Sequence, residues 1–279
     1  MKSESDPAPT QQHGRAGRDL PAAIAVGVTL VSVVVASLYF TKDAFGYVVA
    51  AALSIALFEL ARALRSANIT ISVLPVLVGG VAMQATAYYE GMDVASTVFG
   101  VTALVVLVER LRRGAEGYVR DVTGSVFVLT YLFFMGTFVM RILAADDGAW
   151  LIVAFIACTV ASDIGGYAAG VLFGKHPMAP TISPKKSWEG FAGSLVTGML
   201  MGLVIVVLAL DAAWWIGILL GAACVVMATL GDLCESLIKR DLGIKDMGDL
   251  LPGHGGLMDR LDSLIAVAPV AFLVTATLL

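Results

Sequence analysis

Two apolar runs decide the fold class of this chain, and they occupy residues 190–233, GFAGSLVTGMLMGLVIVVLALDAAWWIGILLGAACVVMATLGDL. Each run is close to the roughly 20 residues that an α-helix needs to cross a bilayer. The whole chain has the same character, because 58% of its 279 residues are hydrophobic and only 14% are charged. About a quarter of the residues are charged in soluble domains. The composition therefore predicts an all-α, polytopic integral membrane protein.

Similar apolar runs recur along the chain, which has room for about nine membrane spans. One run carries Glu59, and the run at 93–109 is barely long enough to cross a bilayer. Losing either span would invert the topology of everything that follows it. The predicted spans lie near residues 21–40, 44–61, 70–89, 93–109, 122–142, 149–173, 190–210, 212–233 and 262–279.

The positions of the lysines and arginines test this count, because cytoplasmic loops of membrane proteins collect positive charge. If the N-terminus is cytoplasmic, all of the 18 Lys and Arg residues except Lys42 and Arg141 fall in the N-terminal tail or at the even-numbered junctions. The asymmetry predicts nine spans, with the N-terminus in the cytoplasm and the C-terminus outside. The cations on the cytoplasmic side are Lys2, Arg15, Arg18, Arg62, Arg65, Arg110, Arg112, Arg113, Arg120, Lys175, Lys185, Lys186, Lys239, Arg240, Lys245 and Arg260.

Composition divides the chain into three regions. Residues 1–20 are polar and have no helical period, so we expect a disordered cytoplasmic tail. The apolar run that follows is too long for the h-region of a signal peptide. Residues 21–148 hold the N-terminal transmembrane helices. We expect residues 149–279 to form a C-terminal transmembrane region that carries out the chemistry, because its predicted cytoplasmic loops at 174–190 and 234–261 carry the polar residues suited to it.

Several common functional motifs are absent from the sequence. There is no Walker-type P-loop, no dinucleotide fingerprint and no H-E-x-x-H motif. Cys158, Cys224 and Cys234 lie in or at the ends of apolar runs without C-x-x-C spacing. This is typical of buried small hydrophobic residues rather than of a thiolate metal site. The basic residues lie at span ends, with no soluble domain to present them, so no nucleic-acid binding is expected.

The first loop contains residues 181–190, TISPKKSWEG. Pro184 opposes a helix through the start of this segment, whereas Ser187 and the residues after it could open the next helix. Lys185 and Lys186 would then lie at a helix N-terminus, where free N–H groups and the macrodipole favour an anion. The two lysines are therefore a candidate phosphate site. The alternative is that they serve only as a topology signal.

The second loop lies in a charged segment, residues 236–262, SLIKRDLGIKDMGDLLPGHGGLMDRLD. If the preceding helix continues to Lys239, it places Asp232 and Lys239 on one face, and Gly243 would stop it. Asp259 lies on the first turn of the last helix. The two helix ends can therefore bring Asp232 and Asp259 together. Carboxylates that converge at a membrane surface suit Mg²⁺.

A glycine-rich turn, PGHGG at 252–256, lies between these helix ends. Gly255 and Gly256 can bring backbone N–H groups close to an anion, and His254 could add a hydrogen bond to a phosphate. Taken alone, such a run is more often an ordinary turn, and a single Asp at a span end is more often a solvated cap. The density of these features on one membrane face favours a functional site.

Asp163 lies inside a predicted span, where an ionisable group is costly and usually functional. Gly165 and Gly166 follow it closely and would let another helix approach. We expect Asp163 to line a polar cavity. The alternative is a structural hydrogen bond between helices.

A set of polar, glycine and apolar residues in the second loop and its flanks follows a defined spacing. They are Ser236, Ile238, Lys239, Arg240, Lys245, Asp246, Gly248, Leu251, Pro252, His254, Gly255, Gly256, Leu257, Asp259, Arg260, Leu261 and Asp262. This pattern resembles the signature of the membrane phosphatidate cytidylyltransferases, also called CDP-diacylglycerol synthases, with no departure at any position. The resemblance extends to residues 183–190 and to Asp163 with Gly166 and Tyr167, so it covers about 150–279.

The resemblance implies transfer of CMP from CTP to phosphatidic acid, giving CDP-diacylglycerol and pyrophosphate, with Mg²⁺ as cofactor. Together with the helix geometry it favours Asp232 and Asp259 as metal ligands, with Asp262 and Asp163 as further candidates. Asp246 is either a ligand or a residue that orders the loop. The expected catalytic residues are Asp232, Lys239, His254, Asp259 and Arg260. The expected substrate-binding residues are Asp163, Ser183, Lys185, Lys186, Arg240, Lys245, Gly255 and Gly256.

The implied setting is a multi-pass protein of the plasma membrane, with its site facing the cytoplasm and with CTP, phosphatidic acid and membrane lipids as partners. A homodimer is possible, since the glycines of 190–202 offer close helix contacts, although the same residues could pack within one chain. One alternative is another CTP-dependent membrane lipid enzyme, such as a lipid kinase or a cytidylyltransferase for a different lipid phosphate. Another is an ion-coupled transporter with Asp163 as its ion site, which would leave the glycine-rich turn unexplained.

Overall fold

The computed structural model describes residues 20–251 and 255–279. Within these residues nine helices follow one another, and α5 includes a π-helical segment at Leu129–Phe134. The predicted tail, apart from residue 20, and His254 lie outside the described residues. The helices are α1 (Leu20–Phe40), α2 (Lys42–Ser66), α3 (Val73–Tyr89), α4 (Met92–Arg110), α5 (Tyr118–Ala144), α6 (Gly148–Phe173), α7 (Trp188–Ala209), α8 (Trp214–Asp241) and α9 (Met258–Leu278).

The helices confirm the prediction of an all-α, polytopic membrane protein. Among the described residues, seven are long and apolar enough to cross a bilayer. The other two apolar helices, Ala25–Phe40 within α1 and α3, are shorter. Each predicted span overlaps one helix, including the uncertain ones at 44–61 and 93–109. The exact number of spans and the side of the membrane on which each end lies stay predictions.

The helix ends differ most from the predicted spans where the chain becomes polar. Helix α8 continues to Asp241, past the predicted end at 233, and Gly243 follows with a φ of +66°. Helix α9 begins at Met258 rather than at 262. Hydropathy marks only the apolar part of a helix, whereas the hydrogen-bonded backbone can continue beyond the hydrocarbon region. The conditional prediction that α8 reaches Lys239 is thereby confirmed.

A β-hairpin between α6 and α7 departs from the all-α prediction. Strands β1 (Pro177–Ala179) and β2 (Ser183–Ser187) pair antiparallel. Lys185 and Lys186 lie on β2 and immediately precede the N-terminus of α7, where the sequence placed them. Ser187 opens α7, as expected, because its Oγ accepts a hydrogen bond from the N–H of Gly190 at 3.1 Å.

Two hydrophobic clusters form the core. The first joins α5, α6, α8 and α9 and includes Leu143, Ile152, Leu220 and Ala271, all fully or almost fully buried. The second joins α2, α3 and α5 to the loop before α9 and to the first residue of α9. Its members include Leu57, Leu60, Met83, Phe133, Met247 and Met258. The second cluster thus fixes the charged C-terminal segment against the N-terminal half of the chain.

Helices α7 and α8 approach each other closely through glycines. A Cβ atom on Gly217 of α8 would lie 2.5 Å from the carbonyl oxygen of Gly202 on α7, and Gly221 faces Gly198 in the same way. No side chain fits at these positions, so the two backbones pack directly on each other. The glycine-rich face of 190–202 is therefore used within one chain.

Candidate active site

The ends of α8 and α9 bring three carboxylates together, which we call the carboxylate cluster. Oxygen atoms of Asp232, Glu235 and Asp262 all lie within 4.8 Å of one another. Asp232 and Glu235 share a face of α8 at i and i+3, and Asp262 projects from the second turn of α9. Glu235 and Asp262 are buried. The predicted convergence of the two helix ends is therefore present.

The carboxylate cluster has two lysine partners. Lys239 Nζ lies 2.6 Å from Glu235 Oε2, and Lys186 Nζ lies 2.5 Å from Asp232 Oδ2. Glu235 Oε1 is buried and has no hydrogen-bond partner among the described residues. Buried carboxylates repel one another, and a buried acceptor without a partner is costly. The cluster thus offers oxygen atoms that a cation would satisfy.

Asp259 lies outside the carboxylate cluster. Its carboxylate accepts hydrogen bonds from the N–H groups of Met247 at 3.0 Å and Gly256 at 2.7 Å. It also lies 2.6 Å from Lys239 Nζ. Asp259 therefore ties the loop to the start of α9, and the structure brings Asp262, one turn later, next to Asp232. The sequence analysis favoured Asp259 over Asp262 as the metal ligand from α9.

A cavity of about 300 Å³ opens beside the carboxylate cluster, between α6, β2, α7 and α8. Asp163 lies in its wall, as expected for a residue that lines a polar cavity. Lys185 and Lys186 line the same cavity, as does Asp232. The ion pair between Lys186 and Asp232 thus connects the cavity to the carboxylate cluster.

Glu189 holds both ends of the hairpin that carries these lysines. It accepts from the backbone N–H groups of Lys175 and His176 at 3.2 Å each, and its other oxygen lies 2.5 Å from His176 Nδ1. At the hairpin turn, Arg240 donates from Nε to the carbonyl oxygen of Ile182. Arg240, predicted to bind substrate, therefore also connects the hairpin to the end of α8.

The remaining predicted site residues that the structure describes do not line the cavity. Ser183 begins β2, Lys245 is exposed in the loop after α8, and Arg260 lies on the first turn of α9 with its side chain exposed. Asp246 lies beside Gly255, which has a φ of +82°. Because the N–H of Gly256 already donates to Asp259, it is not free to bind an anion in this arrangement.

The sequence of this chain matches those of known proteins. The cytidylyltransferase family model matches residues 21–278. The chain belongs to the cytidylyltransferase family. It is therefore a nucleotidyltransferase, and the resemblance predicted from the C-terminal signature is confirmed and extends through the N-terminal helices.

Close relatives of this cytidylyltransferase carry a more specific name. It is 43% identical to the phosphatidate cytidylyltransferase of Mycobacterium bovis over 97% of this chain and 92% of the relative. The proteins of the same name from Mycobacterium tuberculosis strain H37Rv and Mycobacterium leprae are also 43% identical, over 97% and 94% of this chain. They are covered over 86% and 89% of their own lengths.

Two acidic residues of this cytidylyltransferase escaped the sequence analysis. Glu235 was overlooked although it lies on the same α8 face as Asp232. Glu59 of α2 was noted only as a charge that weakens a predicted span, yet it accepts hydrogen bonds from the N–H groups of Leu257 at 3.0 Å and Met258 at 2.8 Å. The cost of an ionisable group in an apolar run, applied to Asp163, is the signal that could have found it.

Proposed function

We propose that this cytidylyltransferase transfers CMP from CTP to phosphatidic acid, producing CDP-diacylglycerol and pyrophosphate. The observation that carries the proposal is the carboxylate cluster next to a lysine-lined cavity at the ends of apolar helices. The names of the mycobacterial relatives support phosphatidic acid as the acceptor.

The chemistry asks for charge neutralisation more than for proton transfer. A phosphomonoester has a second pKa of about 6, so phosphatidic acid is largely dianionic near neutral pH and needs no general base. One of its oxygens attacks the α-phosphorus of CTP, and the bond to the bridging oxygen of the β-phosphate breaks, which releases pyrophosphate. Two polyanions must therefore be held in line while negative charge moves onto the leaving group.

The cations of the cavity suit this task. Lys185 and Lys186 present ammonium groups to the cavity, where they would bind phosphate oxygens. Lys186 also pairs with Asp232, so a phosphate that binds Lys186 would lie at the edge of the carboxylate cluster. Lys239 lies between Glu235 and Asp259 and forms an ion pair with each. Its positive charge reduces the repulsion between these two carboxylates.

The donor set of the carboxylate cluster fits Mg²⁺. All of its candidate ligand atoms are carboxylate oxygens, which hard cations prefer, and Glu235 Oε1 is a buried acceptor in need of a partner. We propose that Asp232, Glu235 and Asp262 hold the metal, and that Asp259 orders the loop. Bound there, Mg²⁺ would neutralise phosphate charge during the transfer.

The apolar surface next to the cavity suits a lipid acceptor. Tyr167 lines the cavity and is 76% exposed, and Ile164 and Val171 on the same helix are 65% and 67% exposed. In a bilayer these side chains would contact acyl chains. A lipid could thus place its phosphate in the cavity while its chains stay in the membrane.

We further propose that the site faces the cytoplasm of a plasma-membrane protein, because the basic loops at 174–190 and 234–261 flank it and cytoplasmic loops collect positive charge. CTP is found on that side. Nucleic acid is not a proposed partner. Homodimerisation stays a prediction, and it would need a face other than the glycines that α7 and α8 use between themselves.

Pyrophosphate release by the purified protein in mixed micelles tests the proposed function. We expect release to require CTP, phosphatidic acid and Mg²⁺ together, with CDP-diacylglycerol identified by mass spectrometry. Asp232→Asn serves as the control that should abolish it. Formation of a nucleoside diphosphate without pyrophosphate would instead identify a CTP-dependent lipid kinase and would overturn the proposal.

A further inference from the structure

Glu59 connects the N-terminal half of the chain to the start of α9. It lies on α2, and the N–H groups of Leu257 and Met258 donate to its two oxygens, one to each. This is a long-range contact, since Glu59 and Leu257 are 198 positions apart in the sequence. Neighbouring side chains fix its position, because Leu57 and Leu60 of α2 belong to the same buried cluster as Met247 and Met258.

Two glycines leave room for the Glu59 carboxylate. A Cβ on Gly248 would lie 2.5 Å from Glu59 Oε1, and a Cβ on Gly256 would lie 2.7 Å from Oε2. Neither glycine has a positive φ. The backbone conformation therefore does not require glycine at these positions, whereas the close approach of the carboxylate does.

Glu59 and Asp259 act on neighbouring N–H groups of the same helix end. Asp259 accepts from Gly256, and Glu59 accepts from Leu257 and Met258. The free N–H groups at a helix start are stabilised by negative charge. Between them the two carboxylates fix both the position of the loop and the direction in which α9 begins.

The direction of α9 decides where Asp262 lies. Asp262 follows Met258 by about one helical turn, and its carboxylate must come within reach of Asp232 and Glu235 on α8. A small rotation at the start of α9 would move it away from them. Groups that hold the ligands of a metal commonly change metal affinity about 10–100-fold when they are removed.

We infer that Glu59 is a positioning residue for the active site: from the N-terminal half it fixes the start of α9 and so sets Asp262 in the carboxylate cluster. The inference rests on the proposed metal site, but not on which lipid or nucleotide is used. It gives the N-terminal helices a role in catalysis beyond membrane anchoring.

The test compares Glu59→Gln with Glu90→Gln, the same change at an exposed residue next to α3. Two readouts are needed: hydrogen exchange of the 255–259 backbone amides without substrates, and the Mg²⁺ concentration that gives half-maximal pyrophosphate release. For Glu59→Gln we expect exchange about tenfold faster and a half-saturating Mg²⁺ concentration about tenfold higher, with kcat at saturating Mg²⁺ near that of the wild type. Glu90→Gln should change neither.

Wild-type exchange and wild-type Mg²⁺ dependence in Glu59→Gln would overturn the inference. So would a loss of activity equal to the loss of folded protein with Mg²⁺ dependence unchanged, because that is the signature of a structural role only. If wild-type protein releases no pyrophosphate, the proposed function fails, while hydrogen exchange of the 255–259 amides still tests Glu59.

A second variant keeps the inference testable if Glu59→Gln does not fold. Gly248→Ala adds a methyl group against the Glu59 carboxylate and should reproduce the higher Mg²⁺ requirement. Where Glu59→Gln does fold, a double-mutant cycle applies as well, and Gly248→Ala should add little to Glu59→Gln because both act on the same contact. Full additivity of the two changes would contradict it.

Discussion

Each half of the molecule contains a buried set of charged side chains, and the two sets differ in whether their polar atoms find partners within the chain. In the N-terminal half, Arg110 donates from Nε to Asp121 Oδ2 at 2.9 Å and also binds the carbonyl oxygens of Gly114 and Glu116. The other oxygen of Asp121 accepts from the N–H of Thr70 at 3.0 Å. Both side chains of this pair are buried, and each finds its partners within the chain.

The carboxylate cluster of the C-terminal half has more acceptors than internal donors. Three carboxylates share two lysines, and one buried oxygen of Glu235 receives no hydrogen bond from the described residues. Burial alone therefore does not mark a functional charge. A buried charge satisfied by its own chain holds the fold together, whereas a buried cluster with unused acceptors indicates a site for a ligand from outside.

The largest expected effect is on turnover when the carboxylate cluster loses a ligand. Asp262→Asn keeps the shape of the side chain but removes its charge, so we expect pyrophosphate release to fall at least about a thousandfold. The thermal unfolding midpoint should stay the same or rise, because repulsion between buried carboxylates is relieved. Turnover within tenfold of wild type would show that Asp262 does not serve the reaction.

Breaking the buried pair of Arg110 and Asp121 should affect stability rather than turnover. Asp121→Asn leaves Arg110 buried without its counter-charge, so we expect the free energy of unfolding to fall by about 3 kcal/mol. Turnover per folded molecule should be unchanged. Denaturant unfolding in micelles, combined with activity normalised to folded protein, measures both. Reduced turnover with full stability would make Arg110 and Asp121 part of the active site.

A smaller effect is expected for the lysine that joins the cavity to the carboxylate cluster. Lys186→Ala removes a charged donor to a phosphate, worth about 1.5 kcal/mol, so KM for CTP or phosphatidic acid should rise about tenfold. Lys42→Ala, a lysine near the opposite helix ends, is the matched control. If both substrates keep their KM values, Lys186 serves only as a topology signal.

The smallest effect is expected at the hairpin. Glu189→Gln weakens the hydrogen bonds that hold the backbone at Lys175 and His176, each worth about 1 kcal/mol or less. We expect KM to rise about threefold and a protease to cleave within 175–187 faster. Unchanged cleavage would mean that the hairpin is held by its strand pairing alone.

Sequence reasoning found the parts of this molecule that depend on local composition. Apolar runs predicted where the helices lie. Helical spacing predicted that Asp232 and Lys239 share a face if α8 continues into the polar segment, and α8 does continue. The convergence of α8 and α9 followed from the same reasoning. These features follow from hydropathy and helical periodicity, which are both local properties of the sequence.

Contacts between segments far apart in the sequence could not be predicted from it. Asp259 and Asp262 share a helical face. The N–H groups of Met247 and Gly256, together with Lys239, hold Asp259 at the loop, while Asp262 joins the cluster. Glu59 acts across 198 residues, a separation that no periodicity records. Arg110, counted as a topology cation, is also the buried partner of Asp121.

Binding of Mn²⁺, a spectroscopic stand-in for Mg²⁺, tests most directly whether unused acceptors mark the site. The protein is titrated in micelles without substrates, and bound Mn²⁺ is followed by electron paramagnetic resonance. We predict that wild type and Asp121→Asn bind with similar affinity, and that Asp262→Asn and Glu235→Gln bind at least about tenfold more weakly. Wild-type affinity in both cluster variants would contradict the assignment of Asp232, Glu235 and Asp262 as the metal site.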